Sequence, residues 1–370
     1  MTDYCIPLIE PWNYPVQPSL PERYFNSNYS NDKPLFVAFH YSWVLTDEIY
    51  DSILSYVENF EQILCAEHKL DIRENFKLIV DNSGNGVKLR DEMNHKYGYE
   101  MVTLIDFFAL RSVIYESDHP PTVWNSKSDR SLILFGKMSR EYRCDILKDL
   151  VADDKLRDDQ VLWSLELSNP SPIVTDNISK VIDVDKYKDY ERLPDQVEYK
   201  KHTYQGYLGY PYRKELYTDT FMSTILETCG SLATSNAWFL SEKTWRVVAN
   251  KHPFIAVIHE DINQRLEDQG INTFREFYLN GKEYIQDDVI ENFSLYYTRL
   301  RDYIKSHPEE IQNIVDNNYR AYENIVQQDL NRIPWLFDTP LLMVRKITQK
   351  VTPLSMADAL MDLEFYQYRI

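Results

Sequence analysis

The chain has 370 residues, 44% of them hydrophobic, enough for two domains with sizeable cores and too apolar for global disorder. Its net charge of -18 repels a nucleic-acid backbone on average, which weighs against a general nucleic-acid binder. No stretch reaches the ~20 apolar residues of a membrane span, and nine glycines are few for a Gly-rich nucleotide loop.

Residues 1–33 are rich in Pro, Asn, Ser and Tyr and read as an extended arm. They have neither a basic start nor a continuous apolar run, so a secretory signal is not expected. "PLFVAFHYSW" (34–43) has strand character, and "TDEIYDSILSYVENFEQILCAEH" (46–68) has helical periodicity. "NFKLIVDNSGNG" (75–86) reads as a buried strand that ends in turn chemistry. "GYEMVTLIDFFALRSVIYES" (98–117) fits a strand or the start of a helix. This alternation argues for an α/β unit with a mainly parallel sheet.

"DHPPTVWNSKSDR" (118–130) is a break, and a second α/β series follows it. Residues 131–154 read as strand, turn and helix, and 160–167 as a strand. The stretch 197–217 is loop-like and unusually aromatic. Residues 220–228 read as a strand, then 239–257 as a short helix and another strand. From about 285 the chain reads as helical, with Pro308 suited to a first helical position, and "ADALMDLEFYQY" reads as a last helix. The expected organisation is therefore two α/β domains, 1–130 and 131–290, and a helical extension, 291–370. A ligand cleft is expected between the two domains, at strand carboxyl ends. The four cysteines, Cys5, Cys65, Cys144 and Cys229, have no paired spacing, so a reduced, cytoplasmic compartment is expected.

"FLSEKTWRVVANKHPFIAV" (239–257) carries the most chemistry. Ser241 is a good N-cap, flanked by Leu240 and Trp245 in the staple positions. The helix then starts at Glu242, and its first-turn amides and dipole favour an anion. Lys243 opposes that dipole unless an anionic ligand is present. Arg246 is one turn from both Lys243 and Glu242. A diphosphate would meet amides, an ammonium and a guanidinium here, and Glu242 can accept from ribose hydroxyls. The competing reading is a solvated Glu-Arg pair with Lys243 in water.

"FMSTILET" followed by this segment resembles the nucleotide-binding core of GT-B glycosyltransferases, in the style of the α1,3-fucosyltransferase family. It also resembles uncharacterised viral and bacterial glycosyltransferase-like proteins. Those carry "TEKTF/W…PFI", a following "GFKTF" and an upstream "G-x-x-R-x-x-R-x-x-LL". "GINTF" (270–274) and "GKMSREYRCDIL" (136–147) match the last two pieces. The likeness covers roughly 131–330. It implies two Rossmann-like domains facing across a cleft, with the acceptor bound by the N-terminal domain and a nucleotide-diphosphate sugar by the second. By the resemblance Glu242 is the ribose-binding acid and Lys243 the diphosphate ligand. The same resemblance makes Arg140 and Arg143 candidates for a second phosphate clamp, a task that suits the bidentate guanidinium. Glu227, at the end of the preceding strand, belongs to the same site. The spacing from Glu227 to Glu242 is longer than in the fucosyltransferases, and Thr228 and Cys229 replace their Asn-Ser. Base and sugar therefore stay open.

His40 and Asp81 end predicted parallel strands of the N-terminal domain, where either can take a proton from an acceptor hydroxyl. The plainer readings are a satisfied polar contact and a turn cap. Asp106 and Glu116 are weaker candidates. The tyrosines of 199–217 suit stacking on sugar or base, or a self-packed flap. "DNSGNGVK" lacks the spacing of a phosphate loop. Asp183 and Asp185 form a DxD pair that reads as solvated loop, and no metal or other cofactor is expected. The leading expectation is a metal-independent glycosyltransferase that acts on a hydroxyl of a glycan, a protein or a modified nucleobase. The alternatives are a viral or phage enzyme that glycosylates a modified DNA base, and a non-catalytic nucleotide-binding scaffold that kept the fold.

Overall fold

The computed structural model describes residues 4–9, 36–40, 47–62, 65, 69, 71–106, 109, 123–135, 141–152, 161–164, 196–199, 202–205, 214–227, 240–332, 341–344 and 351–354. The protein is mixed α/β, with helices and small, mainly parallel sheets. It divides into two compact units. One comprises Met1–Leu110, Thr234–Phe239 and Gln327–Ile370, the other Arg111–Ala233 and Leu240–Val326.

In the first unit, β1 (Tyr4–Ile9), β2 (Phe36–His40), β3 (Phe76–Asp81) and β4 (Val102–Ile105) lie parallel in that order. Helix α1 (Asp47–Gln62) follows β2, a single turn α2 (Ile72–Asn75) precedes β3, and α3 (Gly84–Tyr97) follows it. Leu78, Ile79 and Val80 are buried without alternation, as a strand covered on both faces requires. The turn chemistry expected after β3 is there as the N-cap of α3, where Ser83 Oγ accepts from Gly86 N at 3.1 Å. Gly98 ends α3 in the left-handed region, at φ 70°, where a side chain would be strained. Asn94 Oδ1 then accepts from Met101 N and Val102 N, which ties the start of β4 to α3.

The second unit has a four-stranded, all-parallel sheet and a separate two-stranded ribbon. The sheet consists of β5 (Ser131–Leu134), β6 (Val161–Ser164), β9 (Met222–Leu226) and β10 (Phe254–Val257), in the order β10-β9-β5-β6. The antiparallel ribbon is β7 (Gln196–Tyr199) with β8 (His202–Gln205), at the start of the aromatic stretch whose sequence reads as loop-like. The helices of this unit are α4 (Glu141–Ala152), α5 (Lys214–Thr218), α6 (Glu242–Ala249), α7 (Glu260–Asp268), α8 (Arg275–Leu279), α9 (Gln286–Glu291), α10 (Phe293–Ser306) and most of α11 (Pro308–Arg332). All five residues of β9 and all four of β10 are buried.

The polar break before residue 131 is held closely where it is described. Trp124 Nε1 donates to Phe221 O at 2.7 Å, Asn125 Nδ2 to Thr218 O at 2.8 Å and Ser128 Oγ to Asp219 O at 2.6 Å. The helical run expected from 285 is present through Arg332. Beyond it stand two strands instead, β11 (Leu341–Val344) and β12 (Val351–Leu354). Leu341 of β11 pairs in parallel with Cys5 of β1, and β12 pairs antiparallel with β11, so both join the first sheet. "LLMV" and "VTPL" are short runs that a helical reading absorbs easily, and only their long-range partner distinguishes them. The last helix expected over "ADALMDLEFYQY" lies outside the described residues.

Candidate functional site

The strand order of the second sheet creates a crevice. From β5 the chain moves out to β6, then returns to place β9 on the other side of β5. In open α/β sheets such a reversal opens a ligand crevice outside the carboxyl ends of the strands that flank it, here β5 and β9. Two helices start beside it, α4 after β5 and α6 after β9.

Glu227 follows β9 directly and is 1% exposed. Its carboxylate accepts three hydrogen bonds from the start of α6. Ser241 N reaches Oε1 at 3.1 Å, Ser241 Oγ reaches Oε2 at 2.5 Å, and Thr244 Oγ1 reaches Oε1 at 2.7 Å. Ser241 is the N-cap, as its sequence context predicts, and its Oγ accepts from Lys243 N at 3.2 Å. In an ordinary capping box a Glu or Gln at the third helical position bonds back to the cap amide. Here that position is Thr244, and the acid comes from the neighbouring strand.

Lys243 folds back over the same cap. Its Nζ lies 3.1 Å from Ser241 Oγ and 2.9 Å from Glu242 Oε1. The Lys243 and Glu242 side chains are only 8% and 10% exposed. Consecutive helical residues do not normally face each other, so this pairing needs the ammonium to bend across the helix entrance. Taking two such charges from water costs several kcal/mol each, which the pair and its hydrogen bonds must offset. The reading of these residues as a solvated surface pair does not describe them.

Arg246 is also buried, one turn further on, and Asn250 caps the helix end by donating from Nδ2 to Arg246 O at 2.7 Å. Tyr217, from the aromatic stretch, is buried next to these charges. Burial pushes its hydroxyl up to about 12, Arg246 pulls it down and Glu242 pushes it up. His252 lies edge-on to its ring, with centroids 5.4 Å apart. His252 Nδ1 is 2.9 Å from Ser223 Oγ and Nε2 is 2.8 Å from Tyr217 O, and burial holds the imidazole down at about 4. It is therefore neutral at pH 7 and braces β9 against the turn before β10.

Arg143, on α4, is 2% exposed. Its Nη2 donates to Leu226 O at 2.8 Å and its Nε to Tyr142 Oη at 3.1 Å, while Tyr142 Oη donates to Glu227 O. It thus grips the last residues of β9 at the crevice. Arg140, Glu116 and the pair Asp183 and Asp185 lie outside the described residues. No protein-family model matches the chain, and no curated protein is similar to it.

In the first unit, His40 ends β2 opposite Val80, and Asp81 ends β3 opposite Ile105. The two backbones therefore reach the same carboxyl edge of neighbouring strands, as expected. Asp106, just past β4, is buried. Its carboxylate accepts from Asn82 Nδ2 at 3.0 Å, and its amide donates to Asp329 Oδ2 at 2.7 Å. Among the described residues, no group of three or more His, Cys, Asp or Glu side chains is arranged to hold a metal.

"GINTF" forms a locked turn. Phe274 is buried at φ 61°, a region few non-glycine residues adopt. Asn272 Oδ1 accepts from Phe274 N at 2.7 Å, and Asn272 and Asn318 exchange two further bonds at 2.7 and 2.9 Å. Thr273 Oγ1 donates to Glu267 Oε1 at 2.8 Å. The sequence reading missed Thr244 and Tyr142 as parts of the site, and named Tyr217 only among the tyrosines suited to stacking. Thr244 carried a signal, since a hydroxyl stands where a capping box would have its acid.

Proposed function

We propose that the protein is a glycosyltransferase of the GT-B type, with two Rossmann-like domains and a nucleotide-diphosphate sugar as donor. The observation that carries this reading is the nearly buried Glu242–Lys243 pair at the amino end of α6, beside the crevice between β5 and β9. A parallel sheet binds ligands at such a reversal, and a helix amino end there offers amides to phosphate. In this reading the diphosphate draws the Lys243 ammonium from Glu242, and Glu242 turns to the ribose hydroxyls. The first-turn amides of α6 complete the anion contacts. Lys243 and the amides then stabilise the charge that collects on the leaving diphosphate, which is the largest contribution such a site can make. Arg140 is assigned to the second phosphate, Arg143 to holding the end of β9 through Leu226 O, and His40 or Asp81 to the acceptor proton.

The test is a thermal-shift and calorimetric panel of UDP-, GDP-, dTDP- and CMP-sugars with the full chain. Selective stabilisation by one nucleoside diphosphate sugar is expected, and it should be lost in Lys243→Met. A parent protein that none of these ligands stabilises would sink the donor-site reading.

A further inference from the structure

We propose that Glu227 is a positioning residue, which touches no ligand and fixes the Lys243 ammonium through the Ser241 hydroxyl. This rests on the reading of the α6 entrance as a diphosphate site. A serine hydroxyl has one proton and two lone pairs. The 2.5 Å contact to Glu227 Oε2 directs that proton at the carboxylate. Both lone pairs then face Lys243, one towards its amide at 3.2 Å and one towards its Nζ at 3.1 Å. Without an acceptor behind Ser241 the hydroxyl proton is no longer held away from Lys243, and a donor placed there would compete with Lys243 for the two lone pairs. The other Glu227 oxygen holds the Ser241 amide and the Thr244 hydroxyl, so the carboxylate also sets the height of the helix entrance against β9. Its negative charge beneath the first turn offsets a lysine that opposes the helix dipole.

Glu227→Gln tests the relay, because an amide keeps the shape but presents a donor to Ser241 Oγ. Ser241→Ala cuts the relay and keeps Glu227 bonded to Thr244. Thr244→Val removes a Glu227 contact that is not part of the relay. With 13Cε-labelled lysine, the Lys243 signal is identified by its absence in Lys243→Arg. Glu227→Gln and Ser241→Ala should move this signal in the same direction, and Thr244→Val should leave it in place. Equal movement in all three variants, or none in any, would reduce Glu227 to a general brace and overturn the proposal.

A second arm uses inorganic pyrophosphate as the probe. Lys243→Met should weaken its binding about tenfold in the parent, as expected for a lost charge-assisted contact, and by less than about twofold in Glu227→Gln. The same factor in both backgrounds would overturn the proposal. If the parent does not bind pyrophosphate, the diphosphate reading fails, and the lysine spectra alone decide whether Glu227 positions Lys243.

Discussion

Lys243 Nζ sits 2.9 Å from Glu242 Oε1 although the two residues are consecutive on one helix, and both side chains are nearly buried. Removing one partner of such a pair leaves a charge without its counterpart in a dry place. Lys243→Met is therefore expected to cost about 3 kcal/mol of unfolding free energy. Glu242→Gln combined with Lys243→Met should cost clearly less than the sum of the single variants. Urea unfolding of the four proteins measures this, and additivity would show that the pair is not coupled.

His252 sets a pH dependence. Its imidazole is held at about 4 in the folded chain, against 6.5 for an unperturbed histidine. The unfolded state therefore binds the extra proton between these values, and stability falls as pH drops through that window. The whole gap is worth on the order of 3 kcal/mol, of which about 2 kcal/mol is lost by pH 5. The non-titrating His252→Gln lacks this contribution. Comparing urea unfolding at pH 7.5 and pH 5, the parent should lose about 2 kcal/mol more than the variant. Equal losses would mean that His252 is protonated in the folded state.

Asn280 ends α8 at φ 54° and ψ 49°, exposed and in the left-handed region. Asparagine tolerates this conformation and glycine adopts it without strain. Asn280→Gly is thus expected to be neutral or stabilising by a few tenths of a kcal/mol, and Asn280→Ala to destabilise by about 1 kcal/mol. The two melting temperatures should move apart in that order. The reverse order would place Asn280 in another conformation.

Legibility followed the range of the interactions. The α6 entrance was readable because capping is local: Ser241, Leu240 and Trp245 announce the helix start within six residues. Strands β3, β5, β9 and β10 were readable because a strand buried on both faces is a continuous apolar run. Strands β11 and β12 were not, since what makes them strands is pairing that begins at Cys5, more than three hundred residues away. The same holds within the site. Nothing local shows that Glu227 bonds to Ser241 and Thr244, or that Arg143 turns to Leu226, because those contacts exist only once β9, α4 and α6 are assembled.

Arg143 offers the sharpest separation between holding the site and touching its ligand. The guanidinium donates to the Leu226 carbonyl and the Tyr142 hydroxyl, and the residue is 2% exposed. A residue that braces the end of β9 affects every ligand in the crevice alike, whatever its number of phosphates. A residue that contacts the second phosphate discriminates a nucleoside diphosphate from its monophosphate, because only the former presents that group. The buried contacts favour the brace. Arg143→Met is therefore expected to lower unfolding free energy by about 2 kcal/mol, as removal of a buried charge-assisted donor should. It should weaken UDP and UMP, or the GDP and GMP pair if guanine is preferred, by the same factor. Lys243→Met should instead weaken the diphosphate about tenfold more than the monophosphate. Isothermal titration of both variants with both ligands decides the matter. A diphosphate-selective loss in Arg143→Met would make Arg143 a phosphate ligand, and would leave the hold on Leu226 as a contact that ligand binding must break.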